Sequence, residues 1–196
     1  MAYAYARLDS CVIANAGVSE GTLKLEREVE QATRALFATN VDGVFNTILP
    51  LLAAMKERRC GRIVIMSSLA SVGPMPGGVA YSASKAAVRT YGEALRANVY
   101  RDGVRVNVIC PGYVESDMTA ANKSPMPGLM TMKAAVACMT RGIARDVPVI
   151  QFPGAMHTAF WATARVLPAN LMHSLARRRA LPVIGYLRQR RQSRKE

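Results

Sequence analysis

Arg62-Ile-Val-Ile-Met-Ser-Ser68 constrains this chain more than any other stretch. Its apolar run is short and ends in small hydroxyl residues, the pattern of a buried strand. A doubly wound α/β sheet places its chemistry at the ends of such strands. Tyr81 follows Ser68 by thirteen residues, and Lys85 follows Tyr81 by four. Residues four apart on a helix share a face, about one turn from each other. An ammonium held there favours the phenolate and lowers a pKa that is ordinarily near ~10. Such a tyrosine can exchange a proton with a substrate oxygen near neutral pH.

Periodicity supplies the surrounding order. Cys11 to Asn15 is a short apolar strand, and Leu25 to Phe37 and Val41 to Arg58 are helical, with Pro50 expected to kink the second. Asn40 stands between them, where a polar side chain interrupts the ladder and can hold water. Val79 to Arg101 is a long helix carrying Tyr81 and Lys85, closed by Asp102-Gly103 with glycine suited to a left-handed cap. Val104 to Cys110 is a strand, Thr131 to Arg145 a helix, and Val147 to Phe152 a strand disturbed at its start by Pro148. Leu69 to Gly78 is a Pro/Gly-rich loop able to pass close over a site. Asp117 to Gly128 reads as a flexible lid, with Met75, Met118, Met126 and Met130 available to line an apolar pocket.

Three further motifs stand in order around the serine, tyrosine and lysine. Ala14-Asn15-Ala16-Gly17 follows the strand Cys11-Val12-Ile13, Asn40 lies in Thr39-Asn-Val-Asp-Gly-Val-Phe45, and Pro111-Gly-Tyr-Val-Glu-Ser116 follows the Val104 strand. Together these motifs resemble the short-chain dehydrogenase/reductase family from about Leu8 to about Pro168. The resemblance implies a Rossmann-type three-layer α/β/α parallel sheet and an oxidoreductase that moves a hydride between NAD or NADP and an alcohol or carbonyl substrate. It implies a catalytic tetrad of Asn40, Ser68, Tyr81 and Lys85. Tyr81 would act as acid or base, Lys85 would lower its pKa and hold the nicotinamide ribose, Ser68 would hydrogen-bond the substrate oxygen, and Asn40 would fix a water. Asn15, Ala16, Gly17, Pro111, Gly112, Val114 and Ser116 would join Tyr81 and Lys85 in binding the cofactor, with Ser116 where threonine is usual. A homodimer or tetramer is also implied, paired through the helices on either side of the serine strand.

The family opens with a strand, a Thr-Gly-x-x-x-Gly-x-Gly turn and a helix whose N-terminus takes the pyrophosphate, a site built from glycine backbone and helix dipole. No glycine precedes Gly17 here. By resemblance, roughly 70–80 residues of the first βαβαβ part are absent, together with the residue that selects NAD or NADP. An N-terminal truncation is therefore expected, and the alternative to an enzyme is a non-catalytic remnant unable to hold its dinucleotide. Residues 1–168 form the partial domain on this reading, and residues 169–196 a basic helical extension or tail.

Charge and composition narrow the remaining classes. The net charge is +13, of which Arg165 to Glu196 carries +8 from nine basic residues and one acid. That segment reads either as a solvated tail or as a surface for peripheral contact with an anionic membrane, with nucleic acid disfavoured. Cys11, Cys60, Cys110 and Cys138 have no framework or Cys-x-x-Cys spacing, which indicates reduced thiols and a cytoplasmic protein. His157 and His173 lack partners at ligand spacing, so solvated or helix-surface positions are expected and no metal site. No unbroken run approaches the ~18 apolar residues of a membrane span. Ser82-Ala-Ser-Lys85 also fits the Ser-x-x-Lys of serine β-lactamases, but neither Ser-Asp-Asn nor Lys-Thr-Gly occurs.

Overall fold

A computed structural model describes residues 11–19, 29–75, 78–120, 125–155, 157, 158 and 162. Four parallel strands form one sheet in the order β1 (Cys11–Ala14), β2 (Gly61–Met66), β3 (Val104–Pro111) and β4 (Val149–Phe152). Each crossover carries helix, as parallel pairing requires. Helices α1 (Val29–Phe37) and α2 (Gly43–Glu57) lead from β1 to β2, and α3 (Val79–Val99) leads from β2 to β3. A short α4 (Asp117–Ala120) and α5 (Met132–Ala144) lead from β3 to β4. The register sets Ile63 beside Val12 and Val106, and Ile65 beside Ala14 and Val108.

Alternation along β2 divides the core into two faces. Ile63 and Ile65 pack with Val41, Val44, Ile48, Val88, Leu95 and Val99 under α2 and α3. Val64 turns the other way, to Ile109, Ala135, Ile150 and Phe152 beneath α5. Both faces of the central strand are therefore covered, which is why it reads as a continuous apolar run. The result is the three-layer α/β/α sheet expected from the sequence. Gly92 sets how closely α3 lies on it: a Cβ there would fall 2.6 Å from Val108 Cγ2 and 3.1 Å from Ile65 Cδ1. Gly103, at φ 79°, makes the left-handed turn between α3 and β3.

Several boundaries differ from the sequence expectations. A π-helical turn, Ala38–Asp42, joins α1 to α2 and buries Asn40, and α2 runs on through Pro50. The helical run Glu30–Glu57 is thereby 28 residues long, and by length and hydropathy alone it meets the test for a membrane span that no unbroken apolar run in the sequence met. Leu36, Val41, Val44, Ile48 and Met55 along it are buried, and 28% of its apolar window is buried in all. Short 3-10 turns not foreseen occupy Leu69–Val72 and Tyr100–Asp102. β4 begins only after Pro148, whose carbonyl accepts from Val108 N–H at 2.9 Å. The basic segment from Arg165 to Glu196, with His173, lies outside the described residues.

Candidate active site

The loop after β1 and the carboxyl end of β2 meet the first turns of α3, with Gly17 beside Lys85 and Ser67 bonded to the Lys85 carbonyl. Lys85 is only 4% exposed, and its Nζ donates to the Met66 carbonyl at 2.9 Å, at the last residue of β2. The same nitrogen lies 5.8 Å from the centre of the Tyr81 ring. Burial pulls the Lys85 pKa down from 10.5 to about 8, against a smaller opposing pull from Cys110. Near neutral pH the ammonium beside the Tyr81 ring is therefore still mostly charged, by about ten to one at pH 7.

Side-chain hydroxyls fix this geometry. Ser67 Oγ donates to the Lys85 carbonyl at 2.8 Å, tying the end of β2 to α3. Ser84 Oγ donates to the Tyr81 carbonyl at 2.8 Å and accepts from Asn40 Nδ2 at 3.0 Å. Asn40 is fully buried; its Nδ2 also donates to the Val18 carbonyl at 2.9 Å, and its Oδ1 accepts from Val18 N–H at 2.8 Å. The Asn40 amide is therefore a staple between the loop after β1 and the tyrosine helix. Sequence inspection missed Ser67 and Ser84, because a serine gives no periodic signal of its distant partner.

Ser68 caps the Leu69–Val72 turn: its Oγ accepts from Ala70 N–H at 3.1 Å, a contact that does not use the hydroxyl proton. Ser82, by contrast, is buried and donates to the Val79 carbonyl at 3.2 Å, an arrangement unlike an exposed nucleophile. Asn15 and Ala16 are exposed, and Gly17 allows their loop to rest on the site. A Cβ at Gly17 would stand 3.0 Å from Lys85 Nζ and 3.4 Å from Asn40 Oδ1. An exposed backbone loop beside an amine is a cradle suited to a hydroxylated sugar, so the residues present fit the nicotinamide-ribose end of a dinucleotide. Lys85 and Asn40 both border Gly17, and Tyr81 and Ser84 join them through α3.

The Pro111–Gly112 turn is pinned beside β4, where Gly112 N–H donates to the Phe152 carbonyl at 2.8 Å. Val114 bridges Met130 in parallel. Ser116 caps α4 through reciprocal contacts with Thr119, which commit its hydroxyl locally. A cavity of about 170 Å³ opens there, lined by Glu115, Ser116, Thr119, Ala120, Met126 and Leu129. Met126 is the one methionine of the four expected that lines it. Among the described residues no group of acidic, histidine and cysteine side chains has metal-binding geometry.

The sequence and the fold both have known counterparts. The family model described as short chain dehydrogenase matches residues 2–127. An uncharacterised oxidoreductase of Myxococcus xanthus is 42% identical over 167 residues, covering 85% of this chain and 65% of that protein. The chain thus spans about two thirds of that relative's length. A short chain dehydrogenase of Burkholderia cenocepacia in complex with NADP superposes with a TM-score of 0.71 at 23% identity, over 85% of this chain and 70% of that one. A 4-hydroxyisoleucine dehydrogenase complexed with NADH gives 0.58 at 21% identity, over 72% and 65%. At these identities the solved structures speak for the fold.

Proposed function

Since this chain belongs to the short-chain dehydrogenase family, we propose that it serves hydride transfer between a nicotinamide dinucleotide and an alcohol or carbonyl carbon. The observation that carries this reading is Lys85: a lysine buried to 4% exposure and lowered to about 8, beside the Tyr81 ring and under the Gly17 loop. A bound nicotinamide would supply or accept the hydride; the protein manages charge on oxygen. Tyr81 gives or takes the proton at the substrate oxygen. The Ser68 hydroxyl donates to that same oxygen, which is where negative charge builds as a carbonyl is reduced. Lys85 favours the tyrosine phenolate and offers its remaining N–H groups to the sugar. Asn40 and Ser84 act as positioning residues. Asn15, Ala16, Gly17, Pro111, Gly112 and Val114 line the approach of the nicotinamide end, and Ser116 holds the turn after them. Either NAD or NADP suits these contacts, because none of them addresses the adenosine ribose that distinguishes the two.

The test is turnover of a panel of carbonyl and alcohol substrates with both dinucleotides, following nicotinamide absorbance. Tyr81→Phe should lower the rate by about 10²–10⁴-fold, the range for loss of a positioned acid/base group. Its circular dichroism and melting should match the parent's, since one hydroxyl is removed from a half-buried position. Activity close to the parent's would sink the assignment.

A further inference from the structure

All four strands are parallel, so the turns that return the chain from α2 to β2, α3 to β3 and α5 to β4 gather at the amino end of the sheet, opposite the Tyr81–Lys85 site. Each turn bends through one left-handed residue: Arg59 at φ 53°, Gly103 at φ 79° and Asp146 at φ 52°. Glycine is the ordinary residue at such a helix end, and an arginine there is held at a local cost. Contacts between the turns make them one surface. Arg59 Nη2 donates to the Arg101 carbonyl at 2.8 Å, and Lys56 pairs with Asp102 at 2.9 Å, which joins the first turn to the second. Asp146 in the third turn meets Arg62, Arg96 and Arg105 at 3.4, 2.8 and 3.3 Å.

The charge of this surface is one-sided. Lys56, Arg58 and Arg59 stand with Glu57 in the first turn, Arg101 with Asp102 in the second, and Arg141 and Arg145 with Asp146 at the end of α5. With Arg62, Arg96 and Arg105 that makes nine cations against three carboxylates, a net +6. Arg165 to Glu196 carries +8 of the chain's +13, which leaves −1 for all the rest. Asp102 and Asp146 are engaged as described, while Arg58, Arg59, Arg101, Arg141 and Arg145 are exposed. Helix ends explain only part of this surplus. The carboxyl termini of α2, α3 and α5 each attract cations with about half an elementary charge, roughly −1.5 in all, which is about a quarter of it.

The chemistry of the surface narrows its partner. Bases of a nucleic acid stack on open aromatic faces, but the Tyr100 ring here is already engaged by the Arg105 and Arg96 guanidiniums, at 4.1 and 5.6 Å. Turn tips standing side by side spread charge over a broad end rather than shape a groove for an acidic protein. Tyr100 and Val147, 49% and 36% exposed, stand among the arginines. A headgroup layer is planar and fluid; it asks for distributed cations and an occasional aromatic or apolar tip, and no fixed shape. We propose that this end of the sheet rests on an anionic phospholipid surface, with the Tyr81–Lys85 end facing water. The proposal does not depend on the oxidoreductase reading.

The full chain is sedimented with vesicles of phosphatidylcholine alone and of phosphatidylcholine mixed with phosphatidylserine, at low and at physiological salt. Binding should require the anionic lipid and weaken as salt rises. Arg101 and Arg145 enter the contacts of these turns through backbone atoms, so Arg101→Gln and Arg145→Gln should keep the parent's circular dichroism. Each should weaken binding by about fivefold, the loss of one cation near a charged surface. Lys133→Gln removes the same charge from the start of α5, roughly 18 Å away along the helix and beyond the screening length, and should leave binding within about twofold. The basic carboxyl segment is intact in every variant, so a loss reports the folded end. Absence of binding to the mixed vesicles at low salt, or equal binding to both kinds, would overturn the proposal. So would full binding by both arginine variants, or a Lys133→Gln loss as large as theirs. Tighter binding of polyuridylate than of lipid through the same arginines would make the partner a nucleic acid and overturn it too.

Discussion

Lys85 is asked both to carry charge and to be buried, and the lysine answers by lowering its pKa to about 8. The sign of the consequence follows from linkage. The unfolded lysine holds its proton to about 10.5 while the folded one releases it near 8, so folding gains stability as pH rises between those values. Below about 8 the burial penalty is present in full. A methyl-labelled lysine titration should therefore show Lys85 ionising near 8; a Lys85 midpoint near 10.5 would remove the electrostatic basis of the site. Above that midpoint Tyr81 loses its stabilising charge, and dependence of turnover on Tyr81 should weaken with it.

Among the elements, β2, α3 and β3 were legible from the sequence because each carries a strong local signal: an apolar run, a long helical pattern, and alternating valines closed by Pro-Gly. The cap at Gly103 was legible for the same reason. Its constraint is severe, since a Cβ there would run into the Arg59 carbonyl while the backbone sits at φ 79°. Gly103→Ala should destabilise by about 2 kcal/mol or more, combining left-handed strain with a backbone clash, as read by chemical denaturation. An unchanged midpoint would mean that the turn moves freely. The π-helical turn at Ala38–Asp42 was not legible, because it depends on Asn40 bonding to Val18 and Ser84, residues 22 and 44 positions away. His157, expected at a solvated or helix-surface position, is 1% exposed instead, for a like reason: burial of a lone histidine is decided by what packs over it, and composition says nothing of that.

Across the whole molecule, Asp146 ties the layers together. It meets Arg62 from β2, Arg96 from α3 and Arg105 from β3, and accepts from Asn107 Nδ2 at 3.4 Å. The Arg96 hydrogen bond holds its carboxyl below the usual range, so the stability it gives is present above the ordinary carboxylate pKa and is lost as pH falls through the lowered one. Asp146→Asn keeps a residue tolerant of φ 52° while removing the charge and one acceptor oxygen. It should cost about 1–2 kcal/mol at neutral pH, discounted for partial exposure, with the difference from the parent shrinking in acid. Equal stability at pH 7 would demote Asp146 to a bystander. Leu49, 49% exposed on the outer side of α2, lies on one of the helices through which pairing of two copies is expected. Sedimentation should then show a dimer or tetramer at micromolar concentration that Leu49→Glu dissociates, and a monomeric parent would exclude pairing. The contact of Gly17 with Lys85 has a temporal consequence as well. Tyr81 and Lys85 share one helix, yet the lysine is unusual only when the loop after β1 and the end of β2 have closed around it. A nascent helix alone carries an ordinary amine in water. The lowered lysine is therefore a late product of assembly, and a chain caught midway through folding would lack it.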